Sequence, residues 1–96
     1  MCGFLILKSN KISNKTKKSF LKSLNFLKRR GPDETKVLIK KNYLIGFTRL
    51  SINDHKTASQ PFVSNCKDYI IVFNGEILNY KILLNVLKNK NIKIKY

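Results

Sequence analysis

Cysteine and proline each occur twice in this 96-residue chain, histidine once and tryptophan not at all. With Cys2 and Cys66 far apart and in no paired spacing, neither a disulfide framework nor a zinc or other metal site is indicated, and reduced thiols are expected. No apolar run approaches the roughly 18 residues needed to cross a bilayer. The opening apolar stretch, residues 2–7, is too short for a signal peptide and has no basic segment ahead of it. These absences predict a cytoplasmic protein with no membrane partner. There is also no internal repeat and no low-complexity linker, so the length implies one small domain with a modest core, marginally stable without a partner.

Acidic residues are scarce as well: five against 20 lysines and arginines, for a formal net charge of +15. Such an excess ordinarily points to an acidic partner such as nucleic acid, because clustered cations gain affinity by releasing counterions from phosphates. Clustering is the deciding test. Apart from Lys15-Lys17-Lys18 and Lys28-Arg29-Arg30 the cations are scattered, and only Arg29, Arg30 and Arg49 can make forked contacts to phosphate or carboxylate. The joint abundance of Lys, Asn and Ile fits an A- and T-rich genome better than a selected binding surface.

What is present is a pattern of strands and helices. Residues 2–7 read as a buried strand, so that the chain begins inside a sheet. Phe20, Leu21, Leu24 and Leu27 recur at spacings of three and four and predict a helix over residues 16–29, stopped by Gly31-Pro32. Its leading lysines oppose the helix dipole and should fray that end unless something acidic lies nearby. Residues 37–39 and 43–47 read as a hairpin across Lys40-Lys41-Asn42, with Gly46 hinting at a close backbone approach. Residues 51–65 are mostly polar and read as a long loop, followed by a strand over 69–73 and a turn at Asn74-Gly75. Asn79 is placed to cap a helix over 80–89 with Leu83, Val86 and Leu87 facing the core, and residues 92–96 alternate as a strand.

Met1 followed by Cys2 is the first feature with chemical content. Methionine ahead of a small residue is commonly trimmed, and trimming would put a thiol and a free α-amine on one residue. A thiolate is the best intrinsic nucleophile among side chains, and an α-amine with a reference pKa of about 7.7–8.0 can accept and return a proton near neutrality. Taken alone, however, Cys2 also reads as a chance cysteine packed as a small hydrophobe. In the same way Asn74-Gly75 alone reads as a hairpin turn, Arg49 as a solvated surface cation and Glu76 as a carboxylate at a helix start. His55 lies in the polar loop and reads as a surface histidine, and Cys66 as an incidental thiol.

Order changes the weighing. Arg30-Gly31-Pro32-Asp33, then Gly46-Phe47-Thr48-Arg49-Leu50-Ser51-Ile52, then Gln60-Pro61-Phe62, then Phe73-Asn74-Gly75-Glu76-Ile77-Leu78-Asn79-Tyr80 follow Cys2-Gly3 along the chain. In that order and spacing, from Cys2 to the last residue, the sequence resembles the amino-terminal glutaminase domain of class II glutamine amidotransferases, most closely that of glutamine-hydrolysing asparagine synthetases. The resemblance implies an α+β fold of the amino-terminal-nucleophile hydrolase kind, a four-layer αββα sandwich, of which residues 2–96 would form the N-terminal half. It implies that Cys2 attacks the side-chain amide of glutamine, with the Asn74 side chain and the Gly75 N–H as oxyanion donors. Arg49 would hold the α-carboxylate, the backbone of Leu50, Ser51, Ile52 and Asn53 would line the pocket, and Glu76 would favour the ammonium group. No cofactor is implied within these residues. ATP and Mg²⁺ would serve a synthetase domain, further along the protein or in a separate subunit, which would transfer the ammonia to aspartate.

The sequence departs from the family pattern at three places. Phe47 lies where the family often has histidine, Leu78 lies where it usually has tyrosine, and the 96 residues stop before a Ser-Asp-Thr-Glu segment whose aspartate helps recognise the ammonium group. Half a sandwich would leave an apolar sheet face and unpaired edges exposed, so this chain alone is expected to be poorly soluble and to have little glutaminase activity. The rival readings are an amidotransferase with another acceptor such as an amino sugar, an inactive remnant, and a small basic nucleic-acid-binding protein. The last explains the charge but not the order of the motifs.

Overall fold

The chain alternates short strands with two helices, as its apolar spacing requires. The computed structural model describes residues 1–52 and 58–94. In chain order the elements are β1 (Gly3–Lys8), α1 (Asn14–Leu27), β2 (Glu34–Ile39), β3 (Tyr43–Arg49), β4 (Phe62–Val63), β5 (Ile70–Ile71) and α2 (Tyr80–Asn89). β1, β3 and β2 form an antiparallel sheet in that order, and β4 pairs with β5 in a second, two-stranded sheet. Successive strand residues face opposite sides. Leu5, Leu7, Val37 and Leu44 accordingly meet Phe20, Leu24 and Leu27 of α1 to make the core. On the other face, Leu38 and Tyr43 line a cleft together with Val63 and Ile70, and Phe47 lines another with Phe73, which sets the small sheet over the side away from α1.

The expected apolar stripe is present in α1, centred on Phe20, Leu24 and Leu27, while Leu21 lies at its margin and is exposed. The helix begins at Asn14, two residues before the expected start, and the reason is a cap. Ser13 Oγ accepts the Thr16 N–H at 3.1 Å and satisfies one of the orphan donors, although no acid stands in the first turn to offset the lysines. At the other end Leu27 O accepts both the Arg30 N–H at 2.9 Å and the buried Thr48 hydroxyl of β3 at 3.0 Å. The helix therefore ends at Leu27, against β3 and ahead of Gly31-Pro32.

Several expectations need correction. β1 is an edge strand and half-buried, with Phe4 and Ile6 exposed on the face away from α1. The long loop is shorter than expected, because Phe62-Val63 finds partners in Ile71 and Ile70. The strand expected over 69–73 is reduced to two residues, because the backbone of Phe73 is taken by a side chain. α2 lies where expected but is not core-facing: none of its residues is buried, and no Cα of it comes within 8 Å of another helix or strand. Asn79 makes no side-chain cap. What closes α2 is a left-handed Asn91 (φ 56°), with Asn91 N–H to Lys88 O at 2.9 Å and Ile92 N–H to Leu87 O at 3.0 Å, the paired bonds of a Schellman ending. Residues 92–94 are consequently not a strand, and the rest of that expected strand lies outside the described residues.

Candidate active site

Antiparallel pairing of β1 with β3 sets Gly3 opposite Thr48, so Cys2, one residue ahead of β1, stands beside the end of β3. Its Sγ accepts the Leu50 N–H at 3.4 Å and lies 3.7 Å from Leu50 O, while its carbonyl accepts from Arg30 Nε at 3.4 Å. The thiol is half-buried.

The Arg30-Gly31-Pro32-Asp33 segment fixes the same loop from the other side. A Cβ on Gly31 would lie 2.4 Å from the carbonyl carbon and oxygen of Thr48 and 2.5 Å from Arg49 N, so only glycine lets the chain pass this close to β3. Beyond it Pro32 runs parallel to Arg49, Asp33 N–H donates to Arg49 O at 2.9 Å, and Asp33 Oδ2 accepts the Ser51 N–H at 2.7 Å. Arg49 itself is only 5% exposed, not a solvated surface cation, and its Nη1 lies 3.7 Å from Glu34 Oε2. Burial pushes the Glu34 carboxyl up. The Ser59 hydroxyl at 3.1 Å, Lys36 Nζ at 3.3 Å and the Arg49 guanidinium outweigh this and leave it below the usual carboxylate range.

A cavity of about 410 Å³ opens between these parts. Cys2, Arg49, Leu50 and Ile52 line it from the larger sheet and its following loop, and Asn74, Gly75 and Glu76 line it from the segment after β5, with Met1, Phe47 and Gln60 among the remaining walls. Ser51 does not line it; its N–H is spent on Asp33. Asn53 and His55 lie outside the described residues. Asn74-Gly75 joins β5 to α2 and makes no hairpin, and Glu76 precedes α2 by more than its first turn. Phe47 is buried in the wall, whereas Leu78 is 86% exposed and away from it. Cys66 is exposed and elsewhere, its thiol held below the usual range by Ser64 Oγ at 3.2 Å. Reading by residue type overlooked Asp33, Arg30 and Gln60. Each stood in a quoted motif, but the groups they hold are backbone groups, which leave no mark in a sequence.

A thiol at the second position, a buried guanidinium, a carboxylate and an Asn-Gly bend thus lie around one cavity on an α+β scaffold. The family model of the glutamine amidotransferase domain matches residues 1–95, and the chain belongs to that family. It is 33% identical over 93 residues to asparagine synthetase [glutamine-hydrolyzing] 1 of Bacillus subtilis (strain 168), covering 94% of this chain and 15% of that protein. It is 31% identical over 94 residues to asparagine synthetase [glutamine-hydrolyzing] 2 of Arabidopsis thaliana, covering 97% and 16%. With a probable asparagine synthetase [glutamine-hydrolyzing] of Acanthamoeba polyphaga mimivirus it shares 39% over 82 residues, covering 80% and 14%. The chain thus spans only about 14–16% of the length of these relatives. No solved structure matches it. Among the described residues no helix is long and apolar enough to cross a membrane.

Proposed function

We propose that this chain is the amino-terminal part of an asparagine-synthetase-like glutamine amidotransferase, with Cys2 as nucleophile once Met1 is removed. One observation carries the reading: Cys2, Arg49, Asn74, Gly75 and Glu76, contributed by three separate segments, line the same cavity. Arg49 suits the α-carboxylate of glutamine and Glu76 its ammonium group. The freed α-amine takes the thiol proton as sulfur bonds to the side-chain carbonyl carbon, and it delivers that proton to the departing nitrogen. The carbon–nitrogen bond breaks, ammonia leaves, and water then cleaves the thioester to give glutamate and restore the thiol. Negative charge on the carbonyl oxygen falls to the Asn74 amide and the Gly75 N–H. Ammonia would then pass to aspartate in an ATP-dependent synthetase domain. ATP and Mg²⁺ would be held by the residues of that domain; among the described residues no three or more potential metal ligands come together. In fold, α1 and the two sheets are read as three layers of the four-layer sandwich.

Alkylation by an electrophilic glutamine analogue tests the proposal directly. One equivalent should attach to Cys2 in protein whose intact mass shows Met1 gone. Cys2→Ala should abolish the reaction, and Asn74→Ala should slow it by about 10²–10³, the usual cost of one oxyanion donor. Alkylation of Cys66 in place of Cys2, or of protein still carrying Met1, would overturn the reading.

A further inference from the structure

Gln60 has no part in the chemistry above, yet its side chain is held as a component of the cavity wall. Its Oε1 accepts the Phe73 N–H at 2.6 Å, and its Nε2 donates to Phe73 O at 3.1 Å. A carboxamide carries an acceptor and a donor side by side, so it can pair with both backbone groups of one residue as a neighbouring strand would. Here it does so where β5 has lost its strand partner and immediately before Asn74-Gly75. Phe73 in turn reaches forward: a Cβ on Gly75 would lie 2.7 Å from Cζ of the Phe73 ring. Backbone and ring of one residue therefore brace both members of the oxyanion pair, and Gln60 holds that residue.

We infer that Gln60 is a positioning residue, whose carboxamide fixes Phe73 and through it aims the Asn74 and Gly75 donors across the cavity toward Cys2. The inference rests on the glutamine-hydrolysing reading of the cavity. Oxyanion donors act because they are already in place when charge develops, and a misplacement of about 1 Å can cost on the order of 10²-fold.

Two substitutions separate this role from a merely structural one. Gln60→Met keeps the length and removes both hydrogen bonds, whereas Gln60→Glu keeps the acceptor but turns a carboxylate oxygen toward Phe73 O. At saturating glutamine analogue, Gln60→Met should alkylate at Cys2 about 10- to 100-fold more slowly, with the half-saturating concentration little changed because Arg49 and Glu76 are untouched. Gln60→Glu should be similarly slow near neutrality and approach the wild-type rate at the same pH as acidification protonates the new carboxyl and restores a donor. Amide hydrogen exchange gives a readout independent of the thiol. Phe73 should lose protection in Gln60→Met while β1 and β3 keep theirs. A wild-type alkylation rate in Gln60→Met, or an unchanged Phe73 amide, would sink the role of Gln60. If Asn74→Ala also reacts at the wild-type rate, the fault lies with the glutaminase reading; if Asn74→Ala is slow and Gln60→Met is not, it lies with Gln60 alone.

Discussion

Arg49 is buried where an arginine in a lysine-rich chain would be expected in water, and Glu34 sets a carboxylate beside its guanidinium. The 3.7 Å separation of the pair is long for a hydrogen bond, but Glu34 is half-buried and also bound by Ser59, so its charge is fixed in place. Lys36 Nζ, at 3.3 Å from the same carboxylate, also favours its charged form, although its own exposure lets solvent screen the pair. Because the folded-state pKa of Glu34 is lowered, its stabilising contribution is complete above the unfolded pKa of about 4.3 and is lost as pH falls through the folded value. Urea midpoints measured from neutrality downward should therefore show wild type more stable than Glu34→Gln by a constant margin above about pH 5, with that margin shrinking below about pH 4. A margin that stays constant down to pH 3 would mean that the cations and Ser59 do not hold the carboxylate.

At the scale of elements, two glycines let α1 and the Gly31 segment approach β3, and they differ in what they face. A Cβ on Gly46 would meet Leu24 side-chain atoms at 2.6–2.7 Å, whereas on Gly31 it would meet main chain at 2.4 Å. Each alanine substitution should cost about 1–3 kcal/mol as an overpacked contact. In double-mutant cycles with Leu24→Ala, Gly46→Ala should be clearly less than additive and Gly31→Ala additive, since only the first shares a contact with Leu24. Gly31→Ala should also slow alkylation of Cys2, because it displaces the Arg49-Leu50 backbone on which the thiol rests; equal labelling rates would refute this. The same glycines mark what could be read in advance. Gly46 inside an apolar strand announced a close approach, and the α1 spacing and the hairpin were legible because period and turn are local. That Gly31 does more than end a helix, that Phe73 leaves its strand for a side chain, and that Asn91 turns the chain before Ile92 all depend on partners distant in sequence or on backbone conformation. Arg49 and Cys2 could be picked out by type and order, but their shared cavity exists only once β1 and β3 pair.

As a whole the chain is more open than its size requires. Its accessible surface is 8067 Å², against roughly 5,700 Å² for a folded monomer of this mass. Its radius of gyration is 15.5 Å, against about 12.5 Å for a compact chain of this length. Much of the excess is apolar and concentrated away from the α1 core: Phe4 and Ile6 on β1, and Ile82, Leu83 and Val86 on α2 are all at least 43% exposed. A ten-residue helix with no buried residue and no helix or strand packed against it is marginal in water, because nucleation is costly and little tertiary contact offsets it. Stability should therefore be divided unequally. Leu24→Ala, at the centre of the core, should cost about 2–5 kcal/mol, while Leu83→Ala should stay within about 0.5 kcal/mol. Amides of α1 and β3 should exchange slowly and those of α2 at close to unfolded rates. The decisive comparison is between the two leucines in the same denaturation experiment on the same chain. If Leu83→Ala were as damaging as Leu24→Ala, α2 would have to be covered in solution by a surface that these residues do not supply from within one copy.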